Sequence, residues 1–155
     1  MNKVWSWFFV AVWMMVIFYL SHQPAAESSR LSLGVADWLL HAVVLMLPDE
    51  LFSVDQFHFF IRKAAHFIAY FILGALVLRA LAISGVRGWK TAGFAFLLSF
   101  VYAISDELHQ YFFPGRWGQV REVLVDSLGA CCGILLARGL GKLQKRLESR
   151  DVYGE

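Results

Sequence analysis

Four stretches of this chain are long and apolar enough to cross, or nearly cross, the hydrocarbon core of a bilayer. They are residues 4–20, 64–81, 89–104 and 123–137. A helix needs roughly 20 residues to span that core, and backbone groups inside lipid must be hydrogen-bonded within their own segment. The sequence therefore predicts an all-α fold, a polytopic membrane bundle with four transmembrane helices.

The composition favours a membrane protein over a soluble domain. Of the 155 residues, 59% are hydrophobic and 17% are charged, whereas a soluble domain is roughly 45–50% apolar and about 25% charged. A soluble globule of this size could not bury so many apolar side chains. The net charge of +2 also argues against nucleic acid as a partner.

A further apolar stretch, residues 31–47, carries Gly34, Asp37 and His41 along one stripe at spacings of three and four. This pattern is more typical of an interfacial or re-entrant helix than of a span surrounded by lipid. The alternative is a fifth membrane crossing, which would move the N-terminus to the other side of the membrane.

Basic residues orient the bundle. Arg79, Arg87 and Lys90 lie in or beside the short link between the second and third spans, with no acid among them. After the last span come five more basic residues: Arg138, Lys142, Lys145, Arg146 and Arg150. Because cytoplasmic loops are enriched in Lys and Arg, we expect both termini and this link in the cytoplasm, and the other two links outside.

Polar side chains concentrate at the predicted outer ends of the spans. The last three spans each place polar or small residues at helical spacings along one narrow face: Lys63, His66 and Tyr70; Ser99, Ala103, Asp106 and Gln110; and Glu122, Asp126, Gly129 and Gly133. Packing these faces together predicts a polar pocket, open outward and apolar below. The candidate site residues are Arg62, Lys63, His66, Tyr70, Asp106, Glu107, Gln110, Arg116, Glu122 and Asp126.

Two interpretations of these charges stay open. In the first, they pair only with one another and hold the helices together. In the second, they form a binding site for an anionic or zwitterionic group at the membrane surface, since Arg suits phosphate and carboxylate and Lys adds a point charge. Ionisable residues within membrane spans are costly to bury and are functional candidates for that reason.

At these positions the sequence resembles the VanZ-like family of bacterial integral membrane proteins. The matching motifs are Ser21-x-Gln23-Pro24, Arg62-Lys63-x-x-His66-Phe67-x-x-Tyr70 with Gly74, Asp106-Glu107-x-x-Gln110-x-x-x-Pro114-Gly115-Arg116, and Val123-Leu124-Val125-Asp126-x-x-Gly129-x-x-x-Gly133. Glu122 stands where the family pattern has Asp, which keeps the charge. The resemblance implies a VanZ-like transmembrane domain at 1–138 in the bacterial cell (inner) membrane, followed by a basic cytoplasmic tail at 139–155.

The resemblance also implies an association with tolerance to teicoplanin-type antibiotics, without a settled mechanism. Our first hypothesis is a non-catalytic protein whose outer pocket binds a cell-envelope ligand, either a lipoglycopeptide antibiotic or a lipid-linked wall precursor. The resemblance identifies eight of the candidates as site residues: Lys63, His66, Tyr70, Asp106, Glu107, Gln110, Arg116 and Asp126.

Two alternatives come from other classes of function. A membrane enzyme acting on a lipid headgroup would use Asp106 and Glu107 as paired carboxylates, with His66 or His109 as base or nucleophile. An assembly partner of another membrane protein would use Gly129-x-x-x-Gly133 as its interface.

The remaining expectations concern cofactors and partners. The sequence has no nucleophile motif, no phosphatase signature and no compact metal-ligand spacing. We therefore expect no catalytic residue, no metal and no cofactor. Membrane lipids are the expected partners, and the sequence does not predict an oligomeric state.

Overall fold

The computed structural model describes residues 2–21, 54–112 and 120–153, which form four α-helices and the turn that joins the second to the third. The helices are α1 (Lys3–Ser21), α2 (Val54–Ile83), α3 (Trp89–Tyr111) and α4 (Val120–Tyr153). Each contains a segment long and apolar enough to cross a membrane. These ranges contain no strand, so the prediction of an all-α bundle with four spans is confirmed. The predicted helix at 31–47 lies outside the described residues.

Contacts at the two ends of the bundle show that successive helices run antiparallel. At one end, Ser21 at the end of α1 donates a hydrogen bond to Asp106 near the end of α3. At the other end, the indole Nε1 of Trp7 in α1 donates to Oγ of Ser84, just after α2. The last turns of α1 and α3 therefore lie beside the first turns of α2 and α4.

α2 lies at the centre of the bundle, where it packs against all three other helices and most extensively against α4. α2 and α4 run parallel, because Gly129 and Gly133 of α4 lie against the backbone of Phe67 and Phe71 of α2, in the same order along both helices. A Cβ on either glycine would overlap a carbonyl oxygen of α2. This face of Gly129-x-x-x-Gly133 is thus occupied within the chain, which removes it as an interface for another membrane protein.

Two hydrogen bonds near the middle of the helices hold α1 against α2 and α3. The indole Nε1 of Trp13 donates to the carbonyl oxygen of Ala69 in α2 at 2.8 Å. The hydroxyl of Tyr102 in α3 donates to the carbonyl oxygen of Met14 at 2.6 Å. Both acceptors are backbone groups of neighbouring helices, so polar side chains supply the specific links between elements whose outer surfaces are apolar.

The outer surface of the bundle is apolar, and its interior is built largely from small residues. Large exposed side chains from all four helices point outward, among them Phe8, Phe18, Ile68, Phe94, Leu124 and Leu128. The buried core includes Ala80, Ala92, Ala95, Ala103 and Ala130. Small core residues let helices approach closely, which is the usual packing of membrane bundles.

The end of the bundle opposite Ser21 and Asp106 is basic. The guanidinium of Arg138 lies 3.9 Å from the centroid of the Trp89 ring and donates to the carbonyl oxygen of Gly88 at 2.8 Å. Gly88 has a φ of +74° at the start of α3, a conformation that favours glycine. α4 continues through residue 139 to Tyr153 without a break, so the described part of the predicted tail extends the last helix.

Candidate functional site

Glu122 is the centre of the contact between α2 and α4 at the first end of the bundle. Its side chain is 4% exposed. One of its oxygens, Oε1, lies 2.8 Å from Nζ of Lys63 and 3.5 Å from Nη2 of Arg62. The parallel packing of the two helices produces this meeting, because both groups lie in the first membrane-spanning turns of their helices.

His66 lies one turn deeper, between two carboxylates of α4. Its Nδ1 is 3.3 Å from Oδ1 of Asp126, and its Nε2 is 3.8 Å from Oε2 of Glu122. The side chain of Asp126 is 2% exposed. The spacing of four between the two acids places them on the same face of α4, which is the face that meets α2.

Asp106 joins α3 to the end of α1. Its Oδ2 accepts a hydrogen bond from Oγ of Ser21 at 2.8 Å and another from Nε2 of Gln110 at 3.1 Å. All three side chains are buried. Ser21 is a member of this site that the sequence reasoning did not include among its candidates, although its Ser21-x-Gln23-Pro24 motif was a signal that could have identified it.

Tyr70 belongs with both groups of residues, the one around Glu122 and Asp126 and the one around Asp106. It is fully buried, and its side chain lies within electrostatic range of both Asp106 and Asp126. Asp106 is also within electrostatic range of His66. We call the assembled set the polar cluster, and its members are Ser21, Arg62, Lys63, His66, Tyr70, Asp106, Gln110, Glu122 and Asp126.

Several buried atoms of the polar cluster have no hydrogen-bond partner within the described part of the chain. They are Nε of Arg62, the hydroxyl of Tyr70, Oδ1 of Asp106, Oε2 of Glu122 and Oδ1 of Asp126. Oε2 of Glu122 lies 3.8 Å from Nε2 of His66, which is beyond hydrogen-bond distance, and Oδ1 of Asp126 lies 3.3 Å from Nδ1 of His66 as an ion-pair contact. Buried polar groups are almost always hydrogen-bonded, and each one left unsatisfied costs about 1–3 kcal/mol.

Eight of the predicted site residues meet in the polar cluster: Arg62, Lys63, His66, Tyr70, Asp106, Gln110, Glu122 and Asp126. Glu107 is half-buried and within electrostatic range of Tyr70, but its side chain points away from that of Asp106, since consecutive helical residues do not face each other. Asp106 and Glu107 therefore do not form the paired carboxylates of the enzyme hypothesis. Arg116 lies outside the described residues.

His109, the alternative base or nucleophile of the enzyme hypothesis, is not a member of the polar cluster. The ring of His109 packs against Phe18, with 4.6 Å between the ring centroids. In residues 2–21, 54–112 and 120–153, no group of three His, Cys, Asp or Glu side chains is placed to hold a metal ion.

Four apolar helices around a buried ionic cluster define the class of the protein, a multi-pass helical membrane protein. The family model VanZ/LLP1 matches residues 6–141, and the chain belongs to that family. The match covers all four helices, α4 up to residue 141. Neither a curated protein nor a solved structure matches the chain.

Proposed function

We propose that the polar cluster binds the polar part of a cell-envelope ligand that sits in the membrane, either a lipoglycopeptide antibiotic or a lipid-linked wall precursor. The observation that carries this proposal is the set of buried atoms without partners, above all Oδ1 of Asp106 and the hydroxyl of Tyr70. A ligand that hydrogen-bonds to these atoms removes the cost of leaving them unsatisfied.

The position of the cluster suits an amphiphile. Ser21 and Gln110 are the last residues of their spans, and Glu122 is the third residue of its span, so the cluster lies at the level where lipid headgroups begin. Phe18, Leu108 and Leu124 are exposed on the neighbouring outer surface. An acyl or polyprenyl chain lies along such apolar side chains while the polar part enters the cluster.

A purely structural role accounts for only part of the cluster. Pairing of Lys63 and Arg62 with Glu122 holds α2 against α4, and it leaves both cations with a partner. It gives no reason for the buried carboxylate of Asp106, whose hydrogen-bond donors among the described residues are neutral. Because a charge inside a membrane span is costly, it is expected either to be paired or to have a function.

Binding by the purified protein in lipid nanodiscs tests the proposal. The probes are teicoplanin, a glycopeptide of the same class without an acyl tail, and a polyprenyl-linked wall precursor. We expect teicoplanin or the precursor to bind, the tail-less glycopeptide to bind more weakly, and Lys63→Ala and Asp106→Asn to weaken binding at least about tenfold, which corresponds to roughly 1.4 kcal/mol.

The matched control is Lys90→Ala, which removes an exposed lysine at the opposite end of the bundle and should leave affinity unchanged. Circular dichroism of each variant shows whether the helices are retained. Absence of binding to all three probes, or equal affinity in folded Lys63→Ala, Asp106→Asn and Lys90→Ala proteins, contradicts the proposal.

A further inference from the structure

We infer that the polar cluster recognises a primary ammonium group on its ligand and binds it at Asp106, with Asp126 and Tyr70 alongside. The inference rests on the proposed function and adds the chemical class of the ligand, an amphiphile with a free primary amine. It follows from how the charges of the cluster are distributed among their partners.

The Lys and the Arg of the cluster, Lys63 and Arg62, both contact the same carboxylate. Nζ of Lys63 and Nη2 of Arg62 both contact Oε1 of Glu122. Within the described part of the chain, no Lys or Arg nitrogen lies within 4.0 Å of a carboxylate oxygen of Asp106 or Asp126. Neither Lys63 nor Arg62 therefore contacts Asp106 or Asp126 directly.

His66 reaches only one of these two acids. It lies 3.3 Å from Asp126, whereas the hydrogen bonds that Asp106 accepts from the described residues come from the neutral side chains of Ser21 and Gln110, both on Oδ2. Oδ1 of Asp106 is buried and has no partner. A buried carboxylate is stable when a cation or several donors offset its lost hydration, so Oδ1 of Asp106 is suited to a cationic donor.

Two other buried oxygens nearby fit the same group, although Oδ1 of Asp126 also contacts Nδ1 of His66. Oδ1 of Asp126 is an acceptor, and the hydroxyl of Tyr70 both accepts and donates. Both side chains are within electrostatic range of Asp106 or of each other. An ammonium group carries three N–H donors and no acceptor, which matches a set of buried oxygens better than a phosphate or a carboxylate does.

Basic side chains at the edge of the cluster suit an anionic part of the ligand. Nε of Arg62 is buried without a hydrogen-bond partner, and 34% of this side chain is exposed. Arg121 is exposed on the first turn of α4. A zwitterion with a phosphate or carboxylate near its amine therefore places its cation at Asp106 and its anion toward the guanidinium of Arg62.

Matched pairs of probes that differ only at the amine test the inference. Phosphatidylethanolamine is compared with its N-acetyl derivative, and teicoplanin with its N-acetylated form, by native mass spectrometry and by competition in nanodiscs of phosphatidylcholine. We expect acetylation to weaken binding at least tenfold for the pair that contains the true ligand class. Asp106→Asn keeps the size of the side chain and should abolish that difference.

The outcomes separate this inference from the proposed function. If both members of a pair bind equally well to the wild-type protein, the ammonium inference is wrong while the binding function stands. If no probe binds, including the polyprenyl-linked precursor, the proposed function fails and the inference fails with it. Selectivity for the amine of phosphatidylethanolamine alone assigns a lipid headgroup, and selectivity within the teicoplanin pair assigns an antibiotic.

Discussion

At the scale of single residues, Glu122 links the stability of the bundle to the polar cluster. One of its oxygens contacts both Lys63 and Arg62, and the other faces His66. Removing this charge leaves two cations in a largely buried position without a partner. Loss of one member of a buried pair costs about 3–5 kcal/mol, more than the intact pair contributes.

We therefore expect Glu122→Gln to lower the free energy of unfolding by about 1–3 kcal/mol, below the figure for a fully buried pair because Lys63 and Arg62 retain contact with water. Thermal unfolding in a single detergent measures the change. The double variant Lys63→Met/Glu122→Gln should be less destabilised than the sum of the two single variants. Simple additivity of the two changes would show that the ion pair does not couple α2 to α4.

The sequence identifies the residues of the cluster but not their pairing. Lys63, His66 and Tyr70 share a face because of local helical spacing, and this is readable from sequence. That Lys63 meets Glu122 rather than Asp106 depends on which distant helices touch, and no local pattern encodes this. Ser21 was missed for the same reason, since its importance comes from an acid 85 residues away.

At the scale of the helices, the close contact of α2 with α4 sets the geometry of the cluster. Gly129 and Gly133 bring the two backbones together at Phe67 and Phe71, about two to three turns deeper than Glu122. The sequence predicted that these glycines permit close approach, but it left open whether the partner helix belongs to this chain. In the structure the partner is α2 of the same chain, because the glycines lie on the face of α4 that carries Glu122 and Asp126 and packs against α2.

Gly129→Ala tests this contact directly. Its Cβ would overlap the carbonyl oxygen of Phe67, so the helices must separate, and overpacking of this kind costs about 1–3 kcal/mol. We expect a lower unfolding temperature in detergent and weaker binding of the ligand that the wild-type protein binds. The control is Gly141→Ala, where an added Cβ meets nothing within 4 Å and stability should be unchanged or slightly higher.

The attachment of α1 to α3 can be tested in the same way. Tyr102→Phe removes the hydrogen bond to the carbonyl oxygen of Met14, and hydrogen bonds between membrane helices contribute about 0.6 kcal/mol on average. We expect a small loss of stability in thermal unfolding. Tyr19→Phe, at an exposed position of α1, should have no effect, and equal unfolding temperatures for the two variants would contradict this role for Tyr102.

At the scale of the whole molecule, the bundle has two chemically different ends. The polar cluster contains three buried carboxylates, and the other end carries Arg138, Lys90 and Arg87, with Glu148 and Asp151 further along α4. The four spans and this asymmetry are predictable from sequence, because both depend on the order of apolar runs and charges along the chain. From the positive-inside rule we expect the basic end to face the cytoplasm.

Cysteine labelling in intact cells tests that orientation. In a background of Cys131→Ala and Cys132→Ala, we expect Gln119→Cys to react with an impermeant maleimide added from outside. Ser149→Cys, on the exposed surface of α4 beyond the basic end, should react only after the cells are permeabilised. Labelling of Ser149→Cys in intact cells would place the C-terminus outside and the polar cluster inside.

The backbone contact between α2 and α4 also limits how such a chain can diverge. A chain that keeps Gly129 and Gly133 keeps the separation of these helices, and with it the geometry of Lys63 and Glu122. Bulkier side chains elsewhere on α2 or α4 cannot move these two helices apart at the cluster without breaking the backbone contact at the glycines. Under the proposed function, we therefore expect a change of ligand preference during evolution to arise mainly through α1 and α3, which contribute Ser21, Asp106 and Gln110 to the cluster.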